Sequence, residues 1–516
     1  MTMKHRKKSL YRLLFAFVVF ALFITGCSSG GTGGGNELIV ANGADPVTFD
    51  IQATNDQSTT RIARQIYDTL IKQTNDLKLE PSLATSWEDI GDNVWEFTLR
   101  DDVVFHNGEK LTANDVAFTL KRATESASIS HIVGAIDPST IEVVSDFVIR
   151  FGTYEAFGPL LTHLAHPATA ILNEKAVSEA GEDYGTTVVV GTGPFKFESW
   201  TTGDRVVAVA FADYWGDKPG VDRIQFKTIA DPSVRLIELE RGDAHIAYDL
   251  APQDLDKVRN NDELTLLNTA NLGAEYLGLN LQTDTPLKDK NVRKAIAHAI
   301  NVEEIVEVIY LKVGTQMSGP INELVFGFND ALDPYAFDLD LAKDYLAAAG
   351  YPDGGFDLVL KVGDNSQERI KVAQVVQASL EKIGINVIVQ QSEWASFLDS
   401  TAKGEADMFL LGWTTVTTDA DYGLYPLFHS SQFGSAGNRS FYANPRVDEL
   451  LELGKYTADS NLRADYYKEV QEIVHDELPW VFLQTRENVT GISNKVKGFE
   501  HHPTGSYFLA DVSIDD

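Results

Sequence analysis

A single cysteine, Cys27, in 516 residues leaves no internal disulfide framework, no CxxC redox pair and no thiolate metal centre to consider. Positive charge is scarce as well: 43 Lys and Arg face 75 Asp and Glu, a formal net charge of −32. Such a field repels phosphate backbones and anionic headgroups, which excludes nucleic acid as a partner. The acids are dispersed rather than gathered in runs and read as a solvated, mutually repelling surface. The motifs HExxH and GxxxxGK[ST] do not occur, so zinc-protease and phosphate-loop chemistry have no anchor here. His163 and His166 lie three apart and His501 and His502 are adjacent, but neither pair has Cys or acidic company at ligand spacing, so they read as isolated core or surface residues. What is present is an ordinary globular composition, 44% hydrophobic and 23% charged, long enough for large cores in more than one domain.

Long apolar runs are missing except at the N-terminus, where KHRKK precedes LLFAFVVFALFI at residues 13–24. As a helix that run covers about 18 Å, short of a hydrocarbon core of about 30 Å, so it reads as a signal-peptide core and not a membrane span. Ile24-Thr25-Gly26-Cys27 resembles the lipobox of bacterial lipoproteins, in which the thiol takes a diacylglycerol and the cysteine becomes the new N-terminus. Residues 1–26 are therefore expected to be removed, and the negative charge deepens as Lys4, Arg6, Lys7, Lys8 and Arg12 leave. The lipidated Cys27 and the SSGGTGGGN that follows, 27–36, form a flexible tether. Everything beyond it is expected to be soluble, on the extracellular face of the membrane.

Past the tether, helix and strand periods alternate. Trp95, Phe97 and Leu99 alternate with Glu96, Thr98 and Arg100, predicting a strand with one buried face. Asn107-Gly108 marks a turn, and Thr112 with Asp115 a capping box before the apolar stripe of DVAFTLKRA. Ile370, Ala373, Val376 and Leu380 recur at helical spacing, Gly384 supplies a left-handed end and INVIV the next strand, while Asn301 with Glu304 caps another helix. The fold class is α/β in several lobes. Asp419 and Asp421 are expected in a loop, better suited to accepting a ligand cation than to acid/base work.

The motifs, taken in order, resemble the bacterial extracellular solute-binding proteins of family 5, the peptide, dipeptide, glutathione and nickel receptors of ABC importers. The most specific block is PSLATSWEDIGDNVWEFTLRDDVVFHNGEKLTANDVAFTLKRA at 81–123. GTGPFKFESW, ADYWGDKPGVDRIQFKTIADPSVRLIELERGDAHIA, PLKDKNVRKAIAHAINVEEIV, LAKDYLAAAGYP and FYANPRVDELL continue it across essentially the whole mature chain. The resemblance implies a two-lobed, type II periplasmic-binding-protein fold with an extra domain in the first lobe. Lobe I would comprise 37–77, 188–278 and 484–516, the extra domain II 78–187 and lobe III 279–483. The crossings fall at YLGLNLQT near Leu279 and WVFLQTREN near Phe482. Ligand would lie between the lobes and shut them.

Within the cleft, GWTTVTTDADYGLYPLFHS resembles the family's GWT…DPD segment, which implies Trp413, Thr414 and Thr415 along the ligand with Asp419 and Tyr422 just beyond. Dipeptide and oligopeptide binders hold the ligand ammonium with an aspartate three residues after this tryptophan; here that position is Val416, and TDADYGLYPLF is closer to glutathione-binding members. Asp419 is then the expected ammonium acceptor. Arg369, with Lys371 as rival, and Arg439 are the carboxylate candidates. The resemblance implies no catalytic residue, cofactor or metal, a short peptide as ligand, ABC permease subunits as partners, a lipid anchor in the membrane and a monomeric state. Alternatives are a nickel-chelate or haem receptor on the same fold and a peptide sensor that signals without transport. A secreted hydrolase is the rival of another class.

The lipid assignment has a direct check. Cys27→Ser should leave the precursor unprocessed at this site and free of metabolic lipid label; labelled, membrane-retained Cys27→Ser protein would contradict it.

Overall fold

The computed structural model describes residues 36–515 apart from 55, 127, 283 and 365, so the signal segment, Cys27 and nearly all of the tether lie outside it. The alternating VWEFTLR does form a strand, Val94–Leu99, paired antiparallel with Ala84–Gly91 on one side and Val148–Thr153 on the other; Ile136–Ser145 completes a four-stranded sheet. Phe97 stacks on Phe151 with ring centroids 5.0 Å apart. The helix Ala113–Glu125 packs in the same core and starts with the reciprocal cap of Thr112 and Asp115. Leu70, Ile71 and Ile171 belong to this core, whereas Leu172, Ala176 and Tyr184 pack elsewhere, so the core and the 78–187 span drawn from sequence do not end at the same residues.

A ten-stranded mixed sheet runs through the rest of the chain. One half holds Phe195–Thr201, Arg205–Ala210, Arg223–Thr228, Glu37–Asn42 and Ile246–Tyr248 over one pair of hydrophobic clusters. The other holds Met408–Thr414, Phe356–Gly363 and Ile385–Ser392 over the largest core. In this second half, Phe356–Gly363, the helix Gln367–Glu381 and Ile385–Ser392 form a parallel strand–helix–strand unit, turned by Gly384 at φ 81°.

Two long strands, Leu264–Leu279 and Trp480–Ser493, belong to both halves. Residues 264–270 pair with 487–493, and that stretch of the second strand also pairs with Ile246–Tyr248; residues 274–278 pair with 480–485, beside Met408–Thr414. The ladder shifts register between Ala270 and Ala274, opposite Glu487 and Thr485. This break lies before Leu279 and after Phe482, the crossing positions suggested by the sequence. Beyond it the stacked rings of Tyr276 and Trp480, 3.4 Å apart, anchor both strands in the larger core. Among the described residues no helix is long and apolar enough to cross a membrane.

Candidate ligand-binding cleft

The crossing strands gather charge where the ladder breaks. Glu275, 6% exposed, follows the break and accepts from Nε and Nη2 of Arg369, both at 2.8 Å, and Arg486 Nε stands 3.3 Å from its carboxylate. Arg369 is placed at the start of its helix, where its own N–H donates to the Ser366 side chain at 3.2 Å. The GWT tripeptide packs against this pair so closely that a Cβ on Gly412 would lie 2.7 Å from Glu275 Oε1 and 3.0 Å from Arg369 Nη2. Burial works against the Arg369 charge, but the Glu275 carboxylate outweighs it and raises the guanidinium above its ordinary value.

The facing half supplies a second ion pair. Arg61, buried, donates to both oxygens of Asp249 at 2.5 and 3.0 Å. Asp249 takes a left-handed backbone, φ 50°, a conformation uncommon outside glycine. Burial pushes its carboxyl up, but Arg61, then Arg235 and Arg486, hold it well below the usual carboxylate range. Arg235 itself donates to the carbonyls of Ile229, Ala230, Tyr248 and Asp249, which fixes the loop carrying that aspartate. Arg486, its side chain 36% exposed, thus pairs with Glu275 and also helps to hold down the Asp249 carboxyl, whose side chain is 45% exposed. Counting Asp231 and Glu368, which face Arg235, four guanidiniums meet four carboxylates here.

Trp413 and Thr414 lie opposite Ala274 and Gly273 on the crossing strand, and the Thr415 N–H donates to the Leu272 carbonyl at 3.0 Å. Trp413, Thr414 and Arg369 are thus brought together around Glu275. Asp419 and Asp421 are not in a loop. Asp419 caps the helix Ala420–Phe428, its Oδ1 accepting the Asp421 N–H at 3.0 Å and Arg463 Nη2 at 2.8 Å. Both acids are buried, at 5% and 3% exposure. Burial raises the Asp419 carboxyl, with Arg463 pulling against it; the acid expected to meet a ligand ammonium already holds a cation from within the chain. Pro426, which has no N–H, and Gly423 mask this helix in the sequence. The Tyr422 carbonyl, left without its helical donor by Pro426, accepts the Trp413 indole N–H at 3.1 Å.

Tyr422 reaches out of its own half and packs in the core of the four-stranded unit. Its ring lies 5.7 Å from that of His131, 6.3 Å from His163, 5.6 Å from His166 and 5.2 Å from Trp413. His163 Nδ1 donates to the Ile132 carbonyl at 2.7 Å, while its Nε2 is 3.7 Å from Asp421 Oδ2. His131 Nε2, His163 Nε2 and Asp421 Oδ1 are buried with no hydrogen-bond partner among the described residues. Burial pushes His131 and His163 down to about 4 and His166 well below the ordinary imidazole range. Among the described residues no three His, Cys, Asp or Glu side chains converge as metal ligands.

Arg439 lies apart from this cluster: its Nη1 donates to the Leu398 carbonyl at 2.5 Å and to Thr401 Oγ1 at 2.8 Å, at the end of the helix Trp394–Ala402. Lys371 is exposed on the helix of Arg369. His501 and His502 bond threonine hydroxyls near the chain end. Arg61, Asp249, Glu275 and Arg486 carry no motif; the one available signal is a lone acid inside the otherwise apolar LGAEYLGLN. A separate cavity of about 600 Å³, lined by Arg64, Asp68, Trp215 and Phe508 among others, includes no residue of the crossing strands or of the GWT segment.

Residues 78–435 match the family described as bacterial extracellular solute-binding proteins, family 5. The chain is 28% identical over 491 residues to the glutathione-binding protein GsiB of Pectobacterium atrosepticum and 29% identical over 487 residues to that of Salmonella typhi, in each case covering 93% of this chain and 94% of the relative. Among solved structures it is similar to the ABC transporter-associated periplasmic binding protein DppA from Helicobacter pylori in complex with peptide STSA, with a TM-score of 0.85, 30% identity and coverage of 93% of this chain and 98% of that one. It is also similar to the dipeptide binding protein from Pseudoalteromonas sp. SM9913 in complex with Met-Leu, with a TM-score of 0.86, 26% identity and coverage of 93% and 100%. The two halves of the sheet are the two lobes of a type II periplasmic-binding fold.

The Asp419–Arg463 pair makes a measurable prediction. Arg463→Met leaves a buried carboxylate unpaired and should lower the unfolding free energy in urea by about 3–5 kcal/mol, part of which Asp419→Asn should restore in the double variant. A single Arg463→Met variant within about 0.5 kcal/mol of wild type would show that the pair does not hold this segment.

Proposed function

This chain belongs to the bacterial extracellular solute-binding proteins, family 5, and we propose that it captures a short peptide with free carboxylates between its lobes and delivers it to an ABC permease. The observation that carries this reading is Arg486, part-exposed beside a buried Glu275 whose two oxygens Arg369 already holds. A closed cleft excludes water, and charge-assisted hydrogen bonds there are stronger than in solvent. A ligand carboxylate placed on Arg486 would cover the part of the guanidinium left exposed. Asp249, part-exposed and held ionised, is the better-placed acceptor for a ligand ammonium, since Asp419 is engaged by Arg463.

Glutathione fits this arrangement, with two carboxylates and one ammonium at neutral pH, and the name borne by the relatives from Pectobacterium and Salmonella supports it. Trp413 and Thr414, beside Gly273, would border the peptide backbone, and Thr415 would fix the end of that strand through the Leu272 carbonyl. The protein performs no bond chemistry in this role. It acts as a monomer tethered through lipid on Cys27 at the outer face of the membrane, where hinge closure presents loaded lobes to the transmembrane subunits.

Calorimetry on refolded, ligand-stripped protein tests this reading. Glutathione should bind, and Arg486→Ala should weaken it by at least about tenfold, the lower edge of what removing one partner of a desolvated charge pair costs. The dimethyl ester of glutathione should bind wild type and Arg486→Ala alike. Unchanged affinity in Arg486→Ala would move the carboxylate site elsewhere, and no heat with glutathione or any di- to tetrapeptide would overturn the peptide reading.

A further inference from the structure

Where the four-stranded unit of the first lobe meets the second lobe, the contact is unusual in its chemistry. Tyr422 joins the apolar core of that unit and is ringed there by three imidazoles, those of His131, His163 and His166. Beside it three polar atoms, His131 Nε2, His163 Nε2 and Asp421 Oδ1, are buried with nothing to bond among the described residues. Leaving such atoms unsatisfied in a packed interface costs free energy, and separating the lobes would return them to water. Trp413 packs on Tyr422 and sits on the strand beside Glu275, so this contact adjoins the segment that borders the charge cluster.

We propose that His131, His163 and His166 form a proton-sensitive latch on Tyr422 and Asp421, holding the lobes shut at neutral pH and loosening them as the pH falls. This rests on the hinge-closure reading given above. The groups facing the box are Lys455 against His131 and His163, Arg463 and Asp419 against His163, and Arg64 against His166; Asp421 is itself faced by Lys455, Arg463 and Glu452. Three of these neighbours, Lys455, Arg463 and Arg64, are cations that resist a second positive charge, and the buried imidazoles are therefore neutral when the lobes are shut.

The sign follows from proton binding. Opening would withdraw Tyr422, Asp421 and Lys455 from the box and bring the imidazoles closer to the ordinary value of about 6.5, whereas shut lobes hold His131 and His163 near 4 and His166 well below its ordinary range. The open form thus binds more protons between those limits. Closure is fully favoured above about 6.5 and weakens as the pH falls toward 4. Asp421 and Asp419 work in the opposite direction, because burial raises both carboxyls, but they are two groups against three and Asp419 keeps its Arg463 partner within its own lobe.

The test is a distance measurement between spin labels at Val144 and Ile388, exposed positions on the four-stranded unit and on the far edge of the second lobe, with Cys27 changed to Ser. Glutathione and, in parallel, the tetrapeptide Ser-Thr-Ser-Ala serve as probes. With whichever probe shuts the lobes at a pH of about 7.5, the shut fraction relative to the open one should fall at least about threefold at a pH of about 5. The combined His131→Gln, His163→Gln and His166→Gln variant should lose that dependence. If this variant does not fold, imidazole NMR of the wild type gives the same answer: the His163 ring should stay neutral down to a pH of about 5 with probe bound and titrate near 6.5 without it. Equal closure at both pH values, or a pH dependence kept by the triple variant, overturns the latch alone. Lobes that never shut with either probe overturn it together with the capture reading.

Discussion

Glu275 is one buried carboxylate on a strand shared by both lobes, and the shape of the cleft depends on how it is neutralised. A lone ionised acid at 6% exposure would not survive in that place, so cations must be brought to it from elsewhere in the chain. Arg369 comes from the start of a helix in the second lobe and Arg486 from the partner crossing strand. Bringing them in close leaves no room for side chains nearby, which is why glycine stands at 412, and at 273, where a Cβ would sit 2.8 Å from Arg486 Cδ. One carboxylate cannot saturate two guanidiniums. The remainder of that positive charge faces the first lobe, where Asp249 and Arg61 make a tighter pair of their own.

A second constraint grows from a missing hydrogen bond. Pro426 cannot donate to the Tyr422 carbonyl, and the Trp413 indole takes up that role. This ties the end of the Gly412-Trp413-Thr414 strand to the helix behind it, and it turns Tyr422 outward into the imidazole box of the four-stranded unit. Asp419, capping the same helix and paired with Arg463, holds the turn from the other end. The segment that reads as ligand-facing in sequence therefore has two tasks: its first residues border the charge cluster, and its later residues join the lobes.

Much of the fold is legible in the sequence because it rests on local signals. The Thr112 and Asp115 cap, the Asn301 and Glu304 cap, the Gly384 turn and the alternating Trp95, Phe97 and Leu99 all stand as the spacing predicts. In the cleft, motif residues Trp413 and Thr414 lie on the strand beside Glu275, whereas Arg369, expected to face a ligand carboxylate, is taken up by Glu275. Asp419 is read as free because its partner Arg463 is 44 residues away, and no spacing rule links an N-cap acid to a guanidinium at that distance. Asp249, Arg486 and Arg61 are single charged residues in ordinary surroundings, and their meaning comes from a crossing that only tertiary structure makes.

Arg486, the part-exposed guanidinium at the crossing, is the group on which capture of the ligand's carboxylate turns. A crystal structure of the ligand-stripped protein grown with glutathione addresses it most directly. The account predicts a glutathione carboxylate within about 3.2 Å of the Arg486 guanidinium, with Arg369 still on Glu275 and the lobes shut over both. Glutathione bound with its carboxylates away from Arg486, whether against Arg439 or in the cavity beside Arg64, would contradict it.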